Sequence, residues 1–286
     1  MKQRPFVQLD VFSSRPGRGN PLAVVFDADD LAAADMQAIA AWLNLSETTF
    51  VLRPSQTGAD YRVRIFTPRQ ELPFAGHPSV GTAHAVLLRR HVAPRDGGLV
   101  QECGAGLLPL RVEGDGADRL IHVRAPRGRE RPGDASAVVA SLRGAPLGSL
   151  RPALIDNGPR WWCVELADEA AVRGLEPDLV AMARETVATC AVGVAVFARC
   201  PRADYALVVR AFVPADGIPE DPVTGSANAA ITAWLHGNAS LPAPRFVASQ
   251  GREVGRDGYV ECAVDADGDA WIGGRTQTVV EGTIDW

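Results

Sequence analysis

The sequence predicts an α/β (α+β) protein of two pseudo-symmetric lobes, each a curved, mostly antiparallel sheet or barrel around a central helix. Residues 64–73 read Arg64-x-Phe66-x-Pro68-x4-Pro73, and the template returns 146 positions later as Arg210-x-Phe212-x-Pro214-x4-Pro219. Each copy then runs into a glycine turn and an apolar, small-residue segment, Gly76-His77-Pro78-Ser79 in the first and Gly225-Ser226-Ala227-Asn228 in the second. Segments rich in β-branched and aromatic residues outnumber helical patterns along the whole chain.

In chain order, that patterning places strands over residues 6–12, 22–26, 49–52, 61–66, 107–112 and 120–123. Further strands fall over 161–164, 193–197, 205–212, 259–264 and 278–283. Residues 31–43 set Leu31, Met36, Ile39, Ala40 and Leu43 on one helical face, with Asp30 as the N-cap. Shorter helices are expected over 136–142, 169–175 and 178–184. Residues 78–88 and 226–235 carry almost no charge before Arg89 and His236, and a helix that is apolar all round is a buried one. The stretch 124–150, rich in Pro, Gly, Arg and Ser, reads as the crossover between lobes, and the last strand pairs back into the first lobe. The lobes so drawn are residues 1–128 plus 278–286, and 129–277.

A length of 286 residues is a prior for about two domains, and 47% hydrophobic with 22% charged residues suffices for a core in each. The net charge of −5 argues against nucleic acid as a partner, because counterion-release binding needs a concentrated basic face. No signal-peptide pattern and no apolar run of membrane-spanning length is present, which points to a cytoplasmic protein without a membrane partner. Cys103, Cys163, Cys190, Cys200 and Cys262 form no C-x-x-C pair, so buried thiols are expected rather than a disulfide framework or a zinc site.

The two glycine turns are the strongest candidates for chemistry. A helix N-terminus presents N–H groups with no intrahelical partner and a partial positive charge, which suits a carboxylate or phosphate. Gly76 and Gly225 allow close backbone approach, Pro78 removes no needed donor, Ser226 adds a hydroxyl and His77 a switchable group. Both helix starts are expected to face a shared cleft. Glu47, in Asn44-Leu-Ser-Glu-Thr-Thr-Phe50, and Asp221, between Glu220 and Pro222, are by spacing either solvated turn residues or carboxyls that move protons. Other motifs fail: Cys103-Gly-Ala-Gly106 is followed by strand-like residues and reads as a hairpin. Asp265-x-Asp267-x-Asp269 lacks the glycine and glutamate of a calcium loop, having Ala270 and Thr276 there. No phosphate loop, dinucleotide fingerprint or serine elbow is present, so no cofactor and no metal are expected.

Gly19-Asn20-Pro21, Asn44-Leu-Ser-Glu-Thr-Thr-Phe50, Arg64-Ile-Phe-Thr-Pro68, Glu71-Leu-Pro-Phe-Ala-Gly-His-Pro78, Asn157-Gly-Pro-Arg160 and Glu220-Asp-Pro-Val-Thr-Gly-Ser-Ala227 together resemble the phenazine-biosynthesis PhzF-like family, of the diaminopimelate epimerase-like fold group. The resemblance covers nearly the whole chain. It implies a cofactor-independent isomerase, usually a homodimer, acting on a small-molecule carboxylate substrate. It also implies Glu47 as acid/base, assisted by His77 and Asp221, with Asn20, Ser46, Gly76, Gly225 and Ser226 holding the substrate. Related epimerases carry a cysteine before each helix-start glycine; Ala75 and Thr224 stand there, which excludes a two-thiol mechanism at these positions. One dominant carboxyl favours a proton shift on a single face. The alternatives are an amino-acid or hydroxy-acid epimerase or racemase using Glu47 and Asp221 as opposed groups, and a carboxylate-binding protein that has lost turnover. Pro222 and Asn228-Ala229 depart from members that make phenazine precursors, which implies a different substrate.

Overall fold

The structure is a computed structural model that describes residues 1–286 apart from Pro201 and Ala203. Strands β1 (Gln3–Val11) and β2 (Asn20–Val25), helix α1 (Ala33–Leu43), strands β3 (Glu47–Leu52), β4 (Tyr61–Phe66) and β5 (Glu71–Leu72), helix α2 (Gly76–Leu88), and strands β6 (Gly98–Cys103), β7 (Gly106–Glu113) and β8 (Leu120–Arg124) come first. There follow β9 (Arg129–Arg131), α3 (Ser136–Ser141), β10 (Ala153–Asp156), β11 (Arg160–Glu165), α4 (Glu169–Arg173), α5 (Leu179–Ala188), β12 (Gly193–Arg199), β13 (Leu207–Val213) and β14 (Ile218–Asp221). Helix α6 (Gly225–Gly237) and strands β15 (Arg245–Gln250), β16 (Gly258–Val264), β17 (Ala270–Gly274) and β18 (Thr276–Asp285) complete the chain. Two compact units result, Met1–Arg124 with Gly273–Trp286, and Ala125–Ile272.

In the N-terminal unit, β1 pairs with β2 antiparallel, β2 with β3 parallel, β3 with β4 and β4 with β5 antiparallel, β4 with β6 parallel, and β6 with β7 antiparallel. The C-terminal unit repeats the scheme strand for strand through β10–β11, β11–β12, β12–β13, β13–β14, β13–β15 and β15–β16. Even the register is kept: Thr48 opposes Phe66, and Val194 opposes Phe212, each pair offset by the interval of the sequence repeat. The last strand does return to the first, β18 pairing with β1 in the N-terminal unit.

Each sheet is covered on both faces, which is why many strands read as continuous apolar runs. Phe50, Leu52 and Phe66 pack with Met36, Ile39 and Ala40 of α1, whereas Thr49, one residue out of phase, accepts a hydrogen bond from Thr82 of α2 at 2.9 Å. Trp162, Val164, Val194, Val196 and Val208 join α3, α4 and α5 in one core, while Phe197 stacks edge-on against Trp234 of α6. Helix α2 is buried from Gly76 through Leu87, as its composition requires. Strands at 98–103, 153–156, 245–250 and 270–274 escape the sequence pattern. In β6 the reason is visible: Gln101 and Glu102 are buried polar residues held by Tyr61, Ser79 and Ser55. The stretch expected as the crossover contains the expected helix, as α3, and also β9.

Helix α1 corrects one expectation. Its N-cap is Ala32, with no side-chain cap, and Asp30 instead takes hydrogen bonds from Arg4 and Lys2. The Arg4 bond holds the Asp30 carboxyl well below the usual range. Asp178 is a true N-cap, accepting from Ala181 N at 3.0 Å.

The repeated template has a structural meaning. Arg64 grips Glu71 through Nε at 2.7 Å and Nη2 at 2.6 Å, and Arg210 grips Glu220 in the same fork at 3.0 and 2.8 Å. Each guanidinium also lies over the template phenylalanine, 5.2 Å from Phe66 and 4.9 Å from Phe212. The forks differ in burial: the side chains are 22% and 41% exposed in the first, but 9% and 6% in the second. Arg210→Ala is therefore expected to cost about 3–5 kcal/mol by stranding buried Glu220, and Arg64→Ala at most about 1 kcal/mol. Urea unfolding of both variants checks this; equal losses would overturn it.

Candidate functional site

The N-terminal unit brings Asn20, Ser46, Glu47, Gly76 and His77 together. Glu47 opens β3 beside Leu22 of β2, and the strand alternation that turns Thr49 toward α2 turns Glu47 there too. His77 is the second residue of α2. Its Nε2 lies 3.4 Å from Glu47 Oε2, with side chains 6% and 16% exposed. The ring donates to the Pro21 carbonyl; since Nε2 has no hydrogen-bond partner, that hydrogen sits on Nδ1. Burial pushes the imidazole down to about 3, so His77 is neutral at physiological pH. This corrects its reading as a switchable group: the desolvation of a central helix outweighs the one hydrogen bond that favours the cation.

Beneath this pair, Asn20 is fully buried and takes a hydrogen bond from Ser46 Oγ at 3.0 Å, with the Pro21 carbonyl 3.3 Å from the same hydroxyl. Asn20 and Ser46 thus lock the turn that delivers Glu47. Ala75 is the N-cap of α2 and offers no side-chain cap. With Pro78 third in the helix, the N–H groups of Gly76 and His77 are the donors the first turn presents. Ser79 Oγ bonds back to Ala75 at 2.8 Å and receives Gln101, itself held by Tyr61.

The C-terminal unit builds the matching helix start from other chemistry. Thr224 is the N-cap of α6, and its hydroxyl donates to Asp221 Oδ2. Gln250 clamps the loop by donating to the Asp221 carbonyl at 3.1 Å and Thr224 Oγ1 at 2.9 Å while accepting from Thr224 N and Asn228 Nδ2. Ser226, second in α6 as His77 is second in α2, accepts from the indole of Trp161 at 3.1 Å, and its carbonyl from Asn157 at 2.9 Å. Sequence reasoning missed Trp161 and Gln250; their partners are distant in the chain, so no local signal marks them.

The Cys103-Gly-Ala-Gly106 turn is the hairpin expected of it. Cys103 pairs with Gly106 across the β6–β7 hairpin. The Asp265 side chain accepts from Asp267 N, Asp269 N and Trp271, while Arg127 fills the flank of the loop by binding Asp269 and the Asp267 carbonyl. Four cysteines are buried, whereas Cys190 is exposed, contrary to the uniform burial expected. Among the described residues no acidic, histidine or cysteine cluster has metal-site geometry, and no helix is long and apolar enough to cross a membrane.

Comparison with known proteins matches residues 9–282 to the family described as phenazine biosynthesis-like protein. Antisense-enhancing sequence 1 of Schizosaccharomyces pombe is 35% identical, with 99% of each chain covered. Trans-2,3-dihydro-3-hydroxyanthranilate isomerase of Pseudomonas aeruginosa is 36% identical, covering 92% of this chain and 91% of that one. The crystal structure of a Bacillus anthracis phenazine biosynthesis protein of the PhzF family superposes with a TM-score of 0.86 at 25% identity, over all of both chains.

The neutral state of His77 has a direct consequence for acid stability. A histidine depressed on folding costs nothing above its unfolded pKa; as pH falls from about 6.5 toward 3, the unfolded chain takes up a proton that the folded one refuses. Stability is therefore lost in that window, with His84, pushed to about 4 by burial, adding to the loss. His77→Asn should flatten the fall in melting temperature between pH 7 and 4.5. In the wild type, the His77 ring nitrogen shifts should stay constant from pH 8 to 5, and an inflection near 6.5 would contradict the assignment.

Proposed function

The chain belongs to the phenazine biosynthesis-like protein family, and we propose that it is an isomerase that shifts a proton within a small carboxylate-bearing substrate, using a glutamate and no cofactor. The observation that carries this reading is the Glu47 carboxyl set against a neutral imidazole at the start of a buried helix, 3.4 Å away. In the proposed cycle Glu47, as carboxylate, removes a proton from substrate carbon. The C–H electron pair enters the conjugated system, and Glu47 returns the proton at another carbon on the same face. His77 offers the bare Nε2 lone pair to the protonated Glu47, and a tightening of a few tenths of an ångström makes that contact a hydrogen bond. Donation from Nδ1 to Pro21 keeps the lone pair aimed at Glu47.

In this reading each helix start is suited to an anion within its own unit: the N–H groups of Gly76 in one and of Gly225 in the other suit a carboxylate or the charge that develops as the C–H bond breaks, and the Ser226 hydroxyl suits the carboxylate. Asp221 already accepts from the Thr224 hydroxyl, which supports an orienting role for it and leaves Glu47 as the single base. The isomerase relatives at similar identity across nearly the full length support the reaction class. A cyclic or amino-acid-like carboxylate is the proposed substrate class, and we propose that the enzyme works as a cytoplasmic homodimer.

Incubation with trans-2,3-dihydro-3-hydroxyanthranilate and a panel of small amino and hydroxy acids in deuterated water tests the assignment. Glu47→Gln should slow isotope incorporation by about 10²–10⁴-fold, with double-bond migration and retained configuration in the wild type. Equal incorporation by both proteins removes Glu47 from the role, and inversion at a stereocentre replaces the isomerase reading by the epimerase one.

A further inference from the structure

We infer that Trp161 is a positioning residue that fills the place taken by Glu47 in the N-terminal unit and sets Ser226 of the C-terminal unit to hold a carboxylate. The argument starts from the register shared by the two units. Glu47 is the first residue of β3 and stands opposite Leu22 in the parallel β2–β3 ladder. At the sequence-repeat offset its counterpart is Gly193, the first residue of β12, opposite Trp161 in the parallel β11–β12 ladder. The next residues of both strands, Thr48 and Val194, confirm the alignment through Phe66 and Phe212.

Gly193 is a glycine for a steric reason. A Cβ there would lie 2.2 Å from the Phe212 carbonyl oxygen and 2.7 Å from Cζ3 of Trp161, both far inside contact distance. The indole therefore occupies the space that a carboxyl side chain would need in order to repeat the Glu47 arrangement. Its N–H reaches the second residue of the helix, Ser226 Oγ, at 3.1 Å. In the N-terminal unit the second helix residue, His77, is met by Glu47; in the C-terminal unit the second helix residue, Ser226, is met by a neutral donor.

That donor sets the direction of the serine hydroxyl. A hydroxyl has one hydrogen and two lone pairs. With one lone pair taken by Trp161, the hydrogen turns away from the indole, which leaves the hydroxyl able to donate to an anion at the start of α6. Trp161 is 1% exposed, so it acts through Ser226 without touching the substrate. Ser226 is thereby fixed as a donor to an anion.

This rests on the carboxylate-isomerase reading, so the test reads anion binding apart from turnover. Protein labelled with ¹⁵N at its tryptophan indoles is titrated with benzoate, a ring carboxylate that cannot react. Trp161→Phe identifies the Trp161 indole signal by its disappearance, and Ser226→Ala should displace that signal without benzoate. Ser226→Ala is expected to weaken benzoate binding about tenfold and Trp161→Phe about fivefold, with the double variant no weaker than about tenfold. With a substrate that the wild type turns over, Trp161→Phe should raise KM by a similar factor and leave kcat within about twofold. Circular dichroism and melting of Trp161→Phe guard against a folding defect, and the Ser226→Ala arm stands if it misfolds. The inference is overturned by unchanged benzoate affinity in a folded Trp161→Phe, by additive losses in the double variant, or by absence of benzoate binding to wild type. Failure of the isomerase reading would show separately, as isotope exchange indifferent to Glu47→Gln.

Discussion

Each helix start depends on one guanidinium fork. Arg64 and Arg210 project from β4 and β13, and each reaches along its own strand hairpin to the glutamate that precedes the glycine turn. A bidentate guanidinium–carboxylate pair constrains direction as well as distance, and the ring stacked beneath it adds a second plane of restraint. Because Glu71 and Glu220 stand only a few residues before Gly76 and Gly225, fixing the carboxylate fixes where the backbone enters the central helix. The buried helix, the N–H groups at its start and the residues meeting its second position all inherit that placement.

Much of this was legible in the sequence because it is repeated or periodic. The Arg-x-Phe-x-Pro template marks the doubling, and the uniformly apolar segments after Gly76 and Gly225 mark helices enclosed on all sides. What escaped is what long-range pairing decides. Buried polar strands such as β6 look like turns until Tyr61 and Ser79 are seen to satisfy Gln101. Asp30 has every local attribute of an N-cap, yet Arg4, arriving from β1, outcompetes the helix for its carboxyl. Gln250 and Trp161 reach the second helix start from strands distant in sequence, so no local spacing announces them.

The neutral His77 shows why residue identity alone misleads about electrostatics. A histidine near a glutamate suggests an ion pair, but enclosure in the first turn of a buried helix removes the solvation that the cation needs. The pair is a neutral imidazole nitrogen facing a carboxyl oxygen at 3.4 Å, and not an ion pair. Divergence between the two copies follows the same economy: the strand scaffold is retained to the register, while the N-cap, the second helix residue and the groups that meet it change character.

The unequal burial of the two forks gives the copies different clocks. Water competes for the partly exposed Arg64–Glu71 pair and is excluded from Arg210–Glu220, whose guanidinium also binds the carbonyls of Val172 and Leu175. Transient opening of the segment before Gly76 therefore costs less free energy than opening of the segment before Gly225. The unit that bears the acid/base candidate is the one whose helix entrance breathes more often, and the unit proposed to hold the anion keeps its entrance shut.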